Sequence, residues 1–331
     1  MMNKNSVQIF MRRNKEAVLA YGVLSVVLVL FAANQNDFFT RYGPQSIFNQ
    51  VITLCIAALA QTIVVLTSGI DLSIGSRIGL TNAVAATIMY PISQALGNDF
   101  FGVLITVIIV MVVGMLAGLF NGLVVVYGRL QPIIVTLATS SIFTGIALYV
   151  RPTPGGKVIS SYTRLLTGRL WIYVPVSALV LILFVFFVWI PFRRSRLCQA
   201  IYAIGSSENS AYFSGIDVKR TKLWVYTLSG LFSACAGLLL TAQTASGDPL
   251  GCDLFTINSV AAVVLGGTSL AGGRGGYMGS VAGAIILSLV LGLLIFWGVP
   301  SFYQNAVQGL ILILALGLGI LQKLKKTTAT D

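Results

Sequence analysis

The chain contains no histidine and has few charged residues of any kind. Only 9% of its 331 residues are charged, whereas soluble globular proteins carry about 25%. Apolar residues make up 56% of the chain and the mean hydropathy is +0.91, which excludes a single water-soluble domain. The four cysteines form no CxxC pair. Without histidine or paired cysteines, neither a metal site nor a histidine-based active site is expected.

A phosphate-binding loop is also absent. Gly155-Gly156-Lys157 lacks both the spacing and the following hydroxyl of GxxxxGK[ST], so this chain is not expected to hydrolyse ATP by itself. The nine acidic residues lie at the edges of apolar runs or between them. Ion-coupled transporters and lipid-embedded enzymes usually carry charged groups at depth. We therefore expect no catalytic residue and no cofactor, and an energy source on another chain.

Ten apolar runs follow one another along the sequence, and each is long enough to approach the 20 or so residues of a membrane span. They predict an all-α membrane protein, a single transmembrane domain over 1–331. About ten transmembrane helices are expected, some broken by Gly, Asp and Ser. The runs cover residues 16–33, 46–66, 72–92, 101–126, 132–150, 171–192, 223–245, 255–271, 278–299 and 302–321. The first run resembles a signal peptide but is long for one, so an anchoring span is expected.

The net charge of +12 reflects orientation rather than nucleic-acid binding, because the cations are scattered between apolar runs. With the N-terminus inside, 16 Lys and Arg lie on inner segments and five on outer ones. By the positive-inside rule, both termini are cytoplasmic.

Two longer polar segments stand out. The stretch 193–222 is the longest predicted cytoplasmic loop. The stretch 151–170 is a predicted periplasmic loop, and it is basic on the face where cations are otherwise rare. Docking of an acidic partner explains this charge, although a loop between fixed spans can also carry charge freely. The candidate docking residues are Arg151, Lys157, Arg164 and Arg169.

Neutral polar side chains occur inside the spans, where they must face protein or water. One interpretation is contact between helices, helped by the 34 glycines. The other is a pathway lined by amides and hydroxyls, which suits a polar, uncharged solute. The candidate pathway residues are Asn49, Gln61, Asn82, Asn121, Thr139, Ser140, Asn258 and Asn305.

A break near residue 70 separates the second and third runs. Gly69 is predicted to take the positive φ that ends one helix, and Asp71 or Ser73 to cap the next. Capping alone would explain these residues; the alternative is a functional hinge, which we assign to Gly69, Asp71, Ser73 and Gly75 here and to Gly266 and Gly267 further along.

The stretch SGIDLSIG at 68–75 closely resembles the signature of ribose-type sugar ABC importer permeases. Three further stretches match that family in order and spacing. They are GLFNG at 118–122 with 132–137 after it, YAIG at 202–205 leading to 214–216, and AAVVLGGTSL at 261–270 running into 272–275. The resemblance covers about residues 20–320.

The resemblance implies a permease subunit of the bacterial inner (plasma) membrane that forms a dimer with an identical or different permease subunit. It also implies cytoplasmic ATP-binding subunits and an extracytoplasmic solute-binding protein as partners. Within 193–222 it implies a coupling helix with Ser207 as N-cap and Gly215 as its end, although an ordinary connecting turn would look similar. The residues assigned to coupling are Ser207, Glu208, Asn209, Ala211, Tyr212, Phe213, Ser214 and Gly215.

The function predicted from these observations is import of a sugar or a similar small neutral polar solute, powered by a separate ATPase subunit. The alternatives are an ABC permease for a nucleoside, an amino acid or a furanose-like signal, and a stand-alone secondary transporter or channel.

Overall fold

The structure, a computed structural model, describes residues 15–34, 43–170, 174–300, 302–304, 306–311, 313 and 317. Asn305 and part of the last apolar run lie outside the described residues. Among those described, every regular element is a helix, with one π-helical segment at Val185–Trp189. The helices are α1 Lys15–Asn34, α2 Gly43–Val65, α3 Ile74–Leu96, α4 Asp99–Gly128, α5 Pro132–Val150, α6 Ser160–Thr167, α7 Val176–Arg194, α8 Arg196–Ser206, α9 Glu208–Phe213, α10 Val218–Thr244, α11 Leu254–Leu265 and α12 Tyr277–Phe296.

Six helices of the described part are long and apolar enough to cross a membrane: α2, α4, α5, α7, α10 and α12. Two other apolar helical segments are shorter: residues Val18–Asn34 of α1, and the whole of α11. Helix α3 has the length of a span but carries Ser76, Arg77, Thr81 and Asn82 in its first half, which lowers its hydropathy. The prediction of an all-helical membrane protein is confirmed in this coarser form.

Helix α2 forms the centre of the molecule. In the most apolar 18-residue stretch of α2, 78% of the residues are buried. The corresponding share is 28% in α4 and in α5 and 22% in α7. Helix α10 packs against α2, α3 and α4, and α12 packs against α1, α2 and α11. The outward faces of α4, α5 and α7 therefore carry the exposed apolar side chains that a bilayer would cover.

Glycines permit a close crossing between α4 and α10. A Cβ on Gly118 would lie 2.2 Å from the Tyr226 carbonyl oxygen, and one on Gly230 would lie 2.1 Å from the Gly114 carbonyl oxygen. Only glycine permits this approach of two backbones, as is common where membrane helices cross.

The break after α2 corrects the prediction for Gly69. The positive φ belongs to Ser68, at 65°. The Ser68 amide donates to the Val65 carbonyl (2.9 Å) and the Gly69 amide to the Val64 carbonyl (3.1 Å). These two bonds form a Schellman motif in which Ser68 occupies the left-handed position and Gly69 follows it. The predicted helix end is present, but one residue earlier.

After α10 the chain runs without helix through 245–253 and lies against α3. A Cβ on Gly79 would be 2.8 Å from the Pro249 carbonyl oxygen, and the Gly75 amide donates to Thr256 Oγ1 (2.9 Å). Cys252 is only 1% exposed in this packing. Helix α11 then ends at the predicted glycines, with Gly267 at φ 80° in the left-handed position of another Schellman motif.

Candidate functional site

A buried ion pair joins the break after α2 to the start of α3. The side chains of Asp71 and Arg77 are both 0% exposed, and Arg77 Nη2 donates to Asp71 Oδ2. Ser73 donates twice to Asp71 Oδ1, through its amide (3.0 Å) and its hydroxyl (2.7 Å). Ser229 of α10 donates to Asp71 Oδ2 (3.2 Å) and accepts from Arg77 Nη2 (3.0 Å).

This pair corrects two expectations. Arg77, one of the 16 cations assigned above to inner segments, is not a loop residue, because it lies inside α3 and has no exposed surface. Asp71 does accept the Ser73 hydrogen bonds of a local cap, but capping alone does not explain it, since it also binds Arg77 and Ser229. The sequence does contain a signal for this ion pair, since Asp71 and Arg77 carry opposite charges six residues apart in an almost uncharged region.

Two of the predicted pathway residues, Gln61 and Asn121, contact the backbone segment that carries Asp71. With the Gln61 side-chain amide oriented so that both of its polar atoms are paired, Nε2 donates to the Asp71 backbone carbonyl (3.0 Å) and Oε1 accepts from the Asp71 backbone amide (3.3 Å). Asn121 Nδ2 donates to Ser73 Oγ (2.8 Å). Thr136 of α5 accepts from the Leu72 amide (2.9 Å). Side chains from five helices, α2, α3, α4, α5 and α10, thus meet around residues 71–73, and the contacts of Gln61 and Asn121 hold this segment in place.

The other predicted pathway residues lie elsewhere. Asn82 binds the turn after α10, donating to Thr241 Oγ1 (2.9 Å) and accepting from the Asp248 amide (2.7 Å). Asn49 donates to the Thr167 carbonyl (3.2 Å). Thr139 is buried on α5 next to the half-buried Ser140. Asn258 is 8% exposed, and its Oδ1 has no hydrogen-bond partner among the described residues.

The short helix expected in the loop 193–222 is present as α9. Ser207 is its N-cap, and its hydroxyl oxygen accepts from the Ser210 amide (3.3 Å). Gly215 ends it at φ 80°, with the Ile216 amide donating to the Ala211 carbonyl (3.1 Å). Ala211 is buried against α8 and α10. Helix α9 therefore has a fixed attachment to the rest of the chain.

The outer face of α9 carries two aromatic rings. Tyr212 is 69% exposed and Phe213 is 86% exposed, and their ring centroids are 5.8 Å apart. Large apolar side chains exposed together at a helix end, outside the apolar spans, are typical of a protein–protein contact. Asn209 and Ser214 are exposed on the same helix.

A cavity of about 450 Å³ lies beside α9. Its wall includes the ion pair of Glu208 with Lys222, whose charged atoms are 2.7 Å apart. Lys219 and Arg129 add two further cations. The floor consists of apolar and hydroxyl side chains from the end of α2 and the turn between α4 and α5: Thr67, Ser68, Val125, Val126, Leu130 and Pro132.

The candidate docking cations differ in their surroundings. Arg151 is half-buried and donates through Nε to Thr87 Oγ1 of α3 (3.0 Å). Lys157 is exposed, with its ammonium 5.0 Å from the centre of the Tyr90 ring. Arg164 and Arg169 are exposed on and after α6. Arg151 is therefore the most shielded of the four, and the side chains of the other three are exposed at the surface.

Known proteins resemble this chain over most of its length. The family model of the branched-chain amino acid transport system / permease component matches residues 43–316. The ribose import permease protein RbsC of Bacillus subtilis (strain 168) is 35% identical, over 88% of this chain and 89% of that protein. RbsC of Escherichia coli (strain K12) is 33% identical, over 88% and 90% respectively.

The galactose/methyl galactoside import permease protein MglC of Escherichia coli (strain K12) is 31% identical, over 95% of this chain and 98% of that protein. No solved structure matches the chain at comparable significance. The family match covers most of the sequence, and six described helices can cross a membrane. The chain is therefore a multi-pass membrane protein that belongs to the branched-chain amino acid transport system / permease component family.

Proposed function

We propose that this chain is the membrane permease subunit of an ABC importer and moves a sugar, or a similar small neutral polar solute, into the cytoplasm. The observation that carries the proposal is the similarity over almost the whole chain to import permeases for ribose and for galactose or methyl galactoside. The energy would come from a separate ATPase subunit, and the permease itself would carry no catalytic residue.

The proposed topology has about ten spans in the inner (plasma) membrane, with both termini in the cytoplasm. Contacts between loops support it. Leu66, Gly205 and Gly273, all assigned to inner segments or span ends, lie together. Gly155 and Gly247, assigned to the outer side, pair through both of their backbone groups (2.9 and 2.7 Å).

Helix α9 is proposed as the contact with the ATPase subunit. Tyr212 and Phe213 would insert into that subunit, while Ser207, Glu208, Ala211 and Gly215 fix the helix on the permease. The support is the exposure of the two rings together with the capped, packed base of the helix. Movement of the ATPase would then displace α9 and switch the pathway between outward-open and inward-open states.

The solute pathway is proposed to lie between two permease subunits. A binding protein would deliver the solute to the basic outer loop 151–170. In the described residues, Asn49, Asn121 and Asn258 keep buried side-chain carbonyl oxygens without a partner, which suits contact with hydroxyl groups of a solute. Gln61 and Asn82 are engaged by the protein and would act by shaping the wall.

The test is uptake by the permease reconstituted in vesicles with its ATPase subunits and binding protein. ATP-dependent uptake of labelled ribose, galactose or allose is expected, without uptake of leucine. Uptake that persists without ATP and without partners would instead show a stand-alone transporter or channel. Uptake of leucine alone would show an amino-acid permease.

A further inference from the structure

Three separate segments of the chain are tied together close to α9. The Gly273 amide donates to the Leu66 carbonyl (3.1 Å). The Ser68 hydroxyl is 2.8 Å from the Ala271 carbonyl oxygen and 3.4 Å from that of Gly205. We call these five residues the Ser68 junction. It joins the end of α2, the end of α8 and the loop between α11 and α12.

Steric contact makes this junction stiff. A Cβ on Gly205 would lie 1.8 Å from the Leu66 carbonyl oxygen and 2.5 Å from the Gly273 amide nitrogen. A Cβ on Gly272 would lie 2.2 Å from Ser68 Oγ. Backbones this close cannot slide past one another without separating, so a shift of one segment must displace the others.

A further hydrogen bond fixes α8 to the same loop. The Tyr202 hydroxyl donates to the Gly275 carbonyl (2.7 Å). Burial, with a smaller contribution from Cys198, raises the pKa of Tyr202 to about 12, so the hydroxyl keeps its proton at physiological pH. The last turns of α8 are thus attached at Tyr202 as well as at Gly205.

Ser68 occupies a backbone conformation that residues with a Cβ rarely adopt. Its φ is 65°, which glycine or asparagine tolerates more easily than serine. Glycine at 68 would relieve this strain but could not make the hydroxyl contact with Ala271. Serine at position 68 therefore keeps an unfavourable backbone conformation, and its hydroxyl makes a hydrogen bond to a segment about 200 residues away in the sequence.

The junction stands between the exposed helix and the buried ion pair. Gly205 is two residues before Ser207, the N-cap of α9, and Ser68 is three residues before Asp71. We propose that Ser68 is a positioning residue for transport, through which displacement of α9 moves the segment that holds Asp71. This proposal rests on the function proposed above, because it assigns Ser68 a part in coupling ATP hydrolysis to transport.

The first test measures solute transported per ATP hydrolysed in the reconstituted complex. Ser68→Ala keeps the strained backbone and loses the hydroxyl, and Ser68→Gly loses both. Ser269→Ala is the matched control, because the Ser269 hydroxyl contacts only its own loop, at the Ala271 amide (3.3 Å). We expect both Ser68 variants to transport about fivefold less per ATP, the factor for one lost hydrogen bond, and the control to be unchanged.

Thermal stability separates positioning from folding. Glycine suits a left-handed position, so Ser68→Gly is expected to unfold at a higher temperature than Ser68→Ala while coupling equally poorly. The solute transported per ATP hydrolysed is then compared with the unfolding temperature for Ser68→Ala, Ser68→Gly and Ser269→Ala. If the two quantities rise and fall together, the proposal is overturned and the role of Ser68 is purely structural.

The second test does not depend on the identity of the solute. Hydrogen exchange of residues 66–73 is measured in the complex with and without a non-hydrolysable ATP analogue. We expect the analogue to change exchange there in the natural protein but not in Ser68→Ala. If hydrogen exchange changes as expected while no sugar is taken up, the proposed sugar import is wrong and the positioning role of Ser68 is supported. No change in the natural protein, or the same change in Ser68→Ala, would refute the junction.

Discussion

Replacing Arg77 by methionine should destabilise the protein strongly, because it leaves the Asp71 carboxylate buried without its cation. Both side chains are fully buried, and Arg77 also donates to Ser229 Oγ (3.0 Å). Methionine keeps the length and apolar volume of the side chain. Breaking a buried ion pair by removal of one partner costs about 3–5 kcal/mol. An unfolding entropy of about 2.1 cal/mol/K per residue amounts to about 0.7 kcal/mol/K for 331 residues, so the unfolding midpoint is expected to fall by about 4–7 °C.

The structure offers a control in the other ion pair among the described residues. Glu208 and Lys222 are 55% and 22% exposed, and a pair of this kind contributes at most about 1 kcal/mol. Lys222→Met should therefore shift the midpoint by less than about 2 °C when both variants are purified in one detergent. The double variant Asp71→Asn with Arg77→Met should recover part of the stability lost in Arg77→Met. If Arg77→Met unfolds no earlier than Lys222→Met, the buried pair does not have the role assigned to it here.

Three further predictions follow from packing and burial. Tyr212→Ala with Phe213→Ala should weaken binding of the ATPase subunit by about 30-fold or more in a titration, with an unchanged unfolding midpoint because both rings are exposed. Gly230→Ala should destabilise by about 1–3 kcal/mol in thermal unfolding, since its Cβ would meet the Gly114 carbonyl at 2.1 Å, whereas Gly145→Ala, which has open space, should not. Burial raises the pKa of Cys198 to about 11, so the thiol is protonated at neutral pH; its maleimide labelling should be slow at pH 8 and accelerate as the pH approaches 11. Fast labelling at pH 8 would contradict that burial.

The ends of helices were predictable where local chemistry decides them. Helix α9 begins after Ser207 and ends before Gly215, as expected. An N-cap hydroxyl and a left-handed glycine form their hydrogen bonds with residues only a few positions away, so the local sequence is enough to predict them. At the end of α2 the same reasoning selected Gly69 over Ser68. The hydrogen bond of Ser68 to Ala271, 203 residues away, favours the other position, and no local pattern reveals it.

The candidate site was harder to predict, because it depends on how helices are rotated against one another. The sequence identifies Gln61, Asn82 and Asn121 as polar groups inside spans, but not the direction in which each points. Two of them turn toward Asp71 and the third toward the turn after α10. Arg77 was missed for a related reason: a cation near a span end is usually a loop residue, and its partners Asp71 and Ser229 come from two different segments.

The buried pair also bears on where the energy for transport comes from. A carboxylate that carries a proton or an ion across a membrane needs a free acceptor atom and access to water. Asp71 has neither: each of its oxygens already accepts two hydrogen bonds, from Ser73 twice and from Arg77 and Ser229, and its side chain has no exposed surface. Its charge is neutralised by the protein itself and holds the break between α2 and α3 in one conformation. A charged pair arranged in this way supports a chain that is moved from outside by a partner, as proposed, over one that is driven by an ion passing through it.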